Sequence, residues 1–472
     1  MDQKQNADQS GPSGKRMKMN DEENNPVERA VVAVNEVQPR AEIFKLNIDC
    51  FEEVFDYLSL SDLTAMGQTC KRMERIAGHC FQLSYKAKPA NFFNRNSFYL
   101  PMGSEVKVDC FKNLLQKIYY HRPSTTFTIG PRNVSHNEMM QLETQLTHST
   151  SIKEIEITRF RLTMDRINQL KVVLSKIERV IIKSCRFNEI ELDAFIAACS
   201  KVKYLSIGRE TQHKCQWMRR IYPTLEHIEF KRFAAKDVPA LITFLELNTT
   251  IKQFSVDMEL LLSKQNLFKN SSIKLGTLAI DCDAEYKDEC DLYCQLLNEL
   301  YDSGFYKKLH LTFNGFRIRQ KVVDKLASVK GLVKLRVEQH ENRINFGALS
   351  NLEELYINSI FYIGDHVNQD FLPKLKRIVS EVFSDDILPF ICHSRNLNKI
   401  KVKIFQNGTY FDLNRKIVDL FALNKEREKL AGAHKIAIYV EDEVYLATKW
   451  AMKQTDFSLI QMKRDTSYDW IF

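Results

Sequence analysis

No stretch of this 472-residue chain approaches the 18 or more apolar residues that a membrane-crossing helix requires, and its first residues lack the apolar centre of a secretory signal. The expectation is a soluble, intracellular protein, cytoplasmic or nuclear. Charge of one sign is also scarce: 68 basic side chains stand against 60 acidic ones, and a formal +8 is too diluted to make the clustered basic face of a nucleic-acid binder. The 11 cysteines contain no Cys-x-x-Cys pair, and several, such as Cys70 and Cys199, occupy apolar slots and read as small buried hydrophobes. Cys282, Cys290 and Cys294, with Asp281, Asp283 and His310 as neighbours, are too irregularly spaced for a metal centre. Catalytic signatures are missing as well: there is no Gly-rich phosphate loop, no His-Glu-x-x-His helix and no Gly-x-Ser-x-Gly elbow, while His227, His310 and His434 stand isolated. The chain reads as non-enzymatic, with no catalytic residue, metal or cofactor.

What is present is a spacing. An apolar residue, two others, an apolar residue, one other and a third apolar residue recur at intervals of about 20 to 36 residues. The copies are Ile152, Ile155, Ile157; Ile177, Val180, Ile182; Val202, Leu205, Ile207; Leu225, Ile228, Phe230; Ile251, Phe254, Val256; and Leu275, Leu278, Ile280. They continue at Tyr306, Leu309, Leu311; Leu332, Leu335, Val337; Leu352, Leu355, Ile357; and Leu397, Ile400, Val402. Weaker copies are Leu375, Ile378, Ser380 and Ala433, Ile436, Ile438. Such a unit cannot bury its apolar face alone and must stack on its neighbours, so the chain is expected to be a solenoid. Between triplets, Leu192, Phe195, Ile196, Cys199 fall at helical spacing; Leu292, Leu296, Leu297, Leu300 nearly do so, and Val322, Val323, Leu326, Val329 repeat the pattern. A further strand is expected around Phe127 and Ile129.

Ahead of the array, residues 1–41 are polar and aperiodic and are expected to form a disordered tail, with a short basic patch at Lys15, Arg16 and Lys18. A helical block follows. Asp49 and Glu52 offer an N-cap and capping box, after which Phe51, Val54, Phe55 and Leu58 form one apolar stripe. Ser61 is the expected cap of a second helix carrying Leu63 and Met66, and a third carries Cys70, Met73, Ile76 and Ala77. A block this small is near the lower limit for an independent core and is expected to finish its packing on something else.

The segment LNIDCFEEVFDYLSLSDLTAMGQTCKRMERIA resembles an F-box, with Leu46, Val54, Phe55, Tyr57, Leu58, Asp62, Leu63 and Cys70 at matching positions. Asn47 departs from the usual proline and Met73 from the usual tryptophan or phenylalanine. The triplets resemble the strands of degenerate leucine-rich repeats, whose turn asparagine or cysteine survives at Cys185 and Asn314. The fold class is therefore α/β: a three-helix F-box followed by a leucine-rich-repeat horseshoe with parallel concave strands and convex helices. The boundaries are tail 1–41, F-box 42–85, connecting segment 86–150, solenoid 151–445 and C-terminal cap or tail 446–472. The resemblance implies a substrate receptor of a Skp-cullin-F-box ubiquitin ligase, with a Skp-family adaptor as direct partner and the cullin as an indirect one. Its implied adaptor-binding residues are Leu46, Ile48, Phe51, Val54, Phe55, Leu58, Leu63 and Cys70.

Side chains alternate across a strand, so residues between the triplets face the concavity. Early columns are mixed: Glu154, Glu156, Arg179, Ile181, Lys183, Tyr204, Ser206, His227, Glu229 and Lys231. Late columns lean basic. There Lys308, His310, Lys334, Arg336, Tyr356, Arg377, Lys401 and Lys403 are the candidate substrate contacts, suited to an acidic or phosphorylated protein segment. Tyr356 between Arg336 and Arg377 is the expected hot spot. Two rivals stay open. One is a scaffold in which the helical block merely caps the solenoid, the other an RNA-binding repeat, for which the late columns carry only Tyr356 and Tyr439 as aromatics.

Overall fold

The computed structural model describes residues 46–85 except position 59, four short strands between 90 and 121, and residues 152–465 except 159–162, 184, 186–187, 209–215, 232–237, 283–289, 341–343, 358–370, 384–386, 406–410, 413–415 and 453. The expected tail over 1–41, most of the connecting segment 86–150 and the strand expected around Phe127 and Ile129 lie outside the described residues. Residues 1–47 and 48–472 are separate units, the first described only at Leu46 and Asn47.

Three helices open the larger unit: α1 (Ile48–Phe55), α2 (Leu60–Gly67) and α3 (Lys71–Tyr85). Asp49 and Ser61, expected as caps, lie inside the first turns instead, where the Asp49 carboxylate still favours the positive end of the helix dipole. Phe51 and Phe55 meet edge to face at 5.8 Å between ring centroids. They pack with Leu63, Met73, Ile76, Ala77, Cys80 and Phe81 into one core. Methionine at position 73 thus fills its apolar slot.

Beyond α3 the chain builds one sheet of 17 strands. Antiparallel pairings join Glu105–Lys107 to Ser97–Tyr99 and Ser97–Tyr99 to Ala90–Asn94. From Ala90–Asn94 the strand pairings of this sheet are parallel, through Lys117–His121 and Glu154–Thr158 onward to Ile460–Arg464, while Phe411–Asp412 and Ile417–Val418 form a separate antiparallel pair. Parallel strands need a crossover between them, and the residues between triplets supply it, with helices at Met164–Leu174, Glu189–Ala198, Val238–Leu247, Cys290–Asp302, Gln320–Leu326, Leu420–Glu428 and Asp442–Met452. Asn188 begins one of them with a complete capping box: its Oδ1 accepts from the Glu191 amide at 2.7 Å, and its own amide donates to the Glu191 carboxylate at 3.0 Å.

The central triplet residues stack in register, Ile155 beside Val180, then Leu205, Ile228, Phe254, Leu278 and Leu309. All are buried. The long strand Tyr306–Ile318 then shifts the column by two residues, so that Leu311, not Leu309, lies beside Leu335. A slip of two preserves which side chains face the core, and the column continues through Leu355, Ile378, Ile400, Ile438 and Met462.

Three expectations need correction. The array does not stop at 445, since Ile460–Arg464 adds a parallel strand. Leu292 is exposed, because the buried face of its helix centres on Tyr293, Leu297 and Leu300 and leaves position 292 at that face's edge. Asn314 lies within the strand Tyr306–Ile318 rather than in a turn. Cys185 does fill its turn role, donating to the Ile157 carbonyl at 3.2 Å.

Elsewhere hydroxyls take over that turn chemistry: Thr224 donates to Val202 O, Thr250 to Leu225 O and Ser394 to Phe371 O. Just ahead of successive strands runs an alternating charge ladder, with Lys153 and Lys203 both on Glu178 at 3.2 and 2.8 Å and Lys252 on Glu226 at 3.2 Å. Exposed pairs of this kind add little stability each, but opposite charges at this position favour one order of stacking over a slipped one.

Candidate functional site

The first candidate surface is the outer side of α1. Helical geometry splits the apolar stripe read from sequence. Phe51, Phe55 and Leu63 point into the block's own core at 0, 1 and 2% exposure, so as placed they are core residues and not contact surface. Leu58 and Cys70 are half-buried against that core. Ile48 and Val54 are turned outward at 55 and 45% exposure, and Leu46, in the N-terminal unit, is exposed as well. An outward Val and Ile on a helix of this size have no internal partner to bury them, which is the chemistry of a docking face.

The C-terminal end of α1 and the turn after it are held by residues 445–464. Lys449, on the helix Asp442–Met452, is buried and reaches Glu53 at 3.1 Å and Asp56 at 3.4 Å. Its ammonium also lies 4.1 Å from the Tyr57 ring centroid. Tyr445 donates to Asp56 at 3.4 Å, the Arg464 guanidinium donates to the Asp56 carbonyl, and the Trp450 ring packs 5.0 Å from that of Tyr57. The neighbouring carboxylates Glu52 and Asp56 add to burial in pushing the Cys80 thiol up to about 11, so this cysteine stays protonated and unreactive.

The second candidate surface is the concave wall, and the register confirms which residues share its columns. Glu154, Arg179, Tyr204 and His227 stand side by side, as do Lys334, Glu354, Arg377 and Lys399. The early columns neutralise themselves. Arg179 binds Glu154 at 3.1 Å and covers the Tyr204 ring at 3.5 Å; Tyr204 donates to Glu229, Lys183 pairs with Glu156 at 2.8 Å, and Lys231 pairs with Glu229 at 3.2 Å.

The late columns behave differently from one residue to the next. Lys308 is exposed and His310 half-buried. Lys334 pairs with Glu354 at 3.5 Å and Arg336 with Glu338 at 3.1 Å. Tyr356, the expected hot spot, is only 2% exposed, donates to Glu354 at 2.8 Å, and has Lys334 and Arg377 over its ring at 4.5 and 5.5 Å. It is a platform under the cations rather than a contact. Lys401 is likewise buried, against Asp465 at 3.1 Å, because the extra C-terminal segment supplies a carboxylate that the sequence reading left in the tail. The side chain of Lys403 lies outside the described residues. Arg377, a candidate from the sequence, has Lys399, which was not one, beside it in the next strand. The Arg377 Nε is buried without a hydrogen-bond partner, and burial, then the nearby charges of Arg377 and Lys401, push the Lys399 ammonium below its ordinary value.

Burial pushes His227 and His310 down to about 4; Arg179, His310 and Lys334 add to it at His227 against Glu229, and Lys334 and Lys308 add to it at His310 against Glu354 and Glu353. Both rings are neutral near neutrality. Unfolded, each would take a proton below about pH 6.5, so between there and about pH 4 the unfolded chain binds more protons and stability falls as pH falls. The urea midpoint is expected to drop across that window and to drop less in a chain carrying His227→Gln and His310→Gln. An unchanged slope would place the acid sensitivity elsewhere.

The three thiols weighed as a metal centre are buried, with Cys290 and Cys294 Sγ atoms 4.0 Å apart; among the described residues no group of three or more ligands is arranged to hold a metal. No described helix is long and apolar enough to cross a membrane.

Comparison with known families gives one match, the F-box domain, over residues 43–80. That segment covers α1, α2 and most of α3. No curated protein matches the chain. A leucine-rich-repeat protein of Leptospira interrogans is a structural neighbour at 11% identity and TM-score 0.23, covering 74% of this chain and 90% of its own. The protein is thus an F-box domain joined to a parallel-strand repeat array.

Proposed function

We propose that this chain is the substrate-recognition subunit of a Skp-cullin-F-box ubiquitin ligase. The observation that carries the proposal is the outward Ile48 and Val54 on a segment that matches the F-box domain. The adaptor covers that face, the cullin is reached through the adaptor, and the repeat wall holds a protein so that chemistry on another subunit reaches its lysines. The test is reconstitution: the full chain mixed with a purified Skp-type adaptor, then with the cullin, and followed by size-exclusion chromatography. Co-elution of all three supports the reading, and a chain that elutes alone sinks it.

The substrate segment this wall suits is acidic or phosphorylated. Arg377 offers a buried guanidinium N–H without a protein partner, with Lys399 beside it in the next strand and Lys308 exposed in an earlier one. Arg377→Glu with Lys399→Glu should weaken capture of an acidic protein segment by about tenfold or more, since it removes attraction and adds like-charge repulsion. Capture that survives the double reversal at low salt would place the substrate elsewhere.

One observation favours a second reading, a non-ligase scaffold using the helical block as an end cap: α1 and the turn after it do pack on Lys449 and Tyr445 of the helix Asp442–Met452 and on Arg464 of the strand Ile460–Arg464. A cap has no use for an exposed Val54, so adaptor binding separates the two readings.

A further inference from the structure

The contact between α1 and the last helix leaves a large aromatic outside. Trp450 is 68% exposed, although its ring packs against Tyr57, which lies in the turn just after α1 and donates its amide to the Val54 carbonyl at 3.1 Å. Its neighbour Lys449 is buried and held by Glu53, Asp56 and the Tyr57 ring, so the indole stands on a backbone that is pinned to α1. The exposed valine near the end of α1, the tyrosine in the turn after it and the indole on that tyrosine therefore bring exposed apolar groups of the F-box and of a helix almost 400 residues later close together.

We infer that the docking face for the Skp-type adaptor is composite, and that Trp450 contributes to it directly. This rests on the adaptor reading above. Continuity decides the occupant: whatever covers Val54 on α1 lies against the indole beside it, and a pinned tryptophan at the margin of an apolar face has the features of an interface anchor, large area with little rotamer entropy to lose. In this arrangement the adaptor grips both ends of the chain. The repeat wall is then held in a fixed orientation to the adaptor, without a flexible joint between docking module and substrate wall.

The experiment compares adaptor binding by the full wild-type chain, Val54→Glu and Trp450→Ala, with a photo-crosslinking amino acid placed at position 450 in a fourth sample. Expected are tight binding by wild type, loss with Val54→Glu, about tenfold weaker binding with Trp450→Ala, and a crosslink from position 450 to the adaptor. Wild type that fails to bind overturns the adaptor reading and this inference together. Binding that is lost with Val54→Glu, unchanged with Trp450→Ala, and gives no crosslink at 450 leaves the adaptor reading standing and overturns the composite face alone.

Discussion

A Val54→Glu chain is expected to fold as wild type does and to lose its adaptor. Val54 is 45% exposed, so a carboxylate there meets water in the free chain and costs the fold little. In the complex the same carboxylate would be buried against an apolar partner surface with nothing to pair it, a penalty of about 2 kcal/mol or more, which is roughly thirtyfold in affinity. Isothermal titration against the purified adaptor reads the loss, and a thermal melt confirms that folding is intact. The neighbouring Phe55→Glu is expected to give the opposite combination, a collapsed melt, since Phe55 is 1% exposed in the block's own core against Phe51. If Val54→Glu binds within twofold of wild type, the outer side of α1 is not the adaptor face.

Arg427→Leu should cost about 3–5 kcal/mol, the largest stability effect of any single change in the repeat array. Arg427 is fully buried, yet among the described residues no carboxylate pairs with it. Its guanidinium donates instead to backbone carbonyls: Ile391 at 2.5 Å, Ser394 at 3.0 Å, Arg395 at 2.9 Å, Leu397 at 3.2 Å and His434 at 3.1 Å. The first four lie at the end of the helix Leu388–His393 and in the turn after it, where carbonyls have no intrahelical partner and carry the negative end of the dipole. Burial lowers the guanidinium to about 10, still protonated at neutral pH. Leucine would take the side-chain donor away from all five, leaving Ser394 O and Arg395 O with only the Leu397 and His434 amides that they already accept at 3.1 and 2.9 Å. Urea denaturation followed by far-UV circular dichroism is the measurement, with Arg427→Lys expected to recover only part of the loss because one ammonium cannot reach the span of a planar fork. A cost below about 1 kcal/mol for the leucine would mean that water reaches those carbonyls.

Neither Arg427 nor Trp450 stands out in the sequence, and the reason is the same for both. Triplet spacing reports what every repeat needs, an inward apolar column, and that much was legible from Ile152 to Ile438. A residue used once, between elements distant in sequence, leaves no period. The copies at Leu115, Ile118, Tyr120 and at Phe457, Ile460, Met462 follow the spacing too, and strands at Lys117–His121 and Ile460–Arg464 belong to both. They escaped because the first is separated from Ile152 by a long aperiodic stretch and the second follows a helix read as a tail. The concave columns were legible through alternation, whereas the exposure of each member was not: Tyr356 and Lys401 sink because Glu354 and Asp465 are there to receive them. On α1 the stripe Phe51, Val54, Phe55, Leu58 was visible, but periodicity cannot say which of its members face the chain's own core and which a partner.

Because Lys449, Tyr445 and Arg464 hold the first helix in place, codons 445–464 encode part of what the F-box needs some 390 residues earlier. A premature stop or frameshift between codons 406 and 442 would spare every F-box residue and every strand through Lys399–Phe405, and would still release α1 from its bracket. Late truncating alleles should therefore behave genetically like early ones, rather than as receptors that keep their adaptor and lose only a substrate.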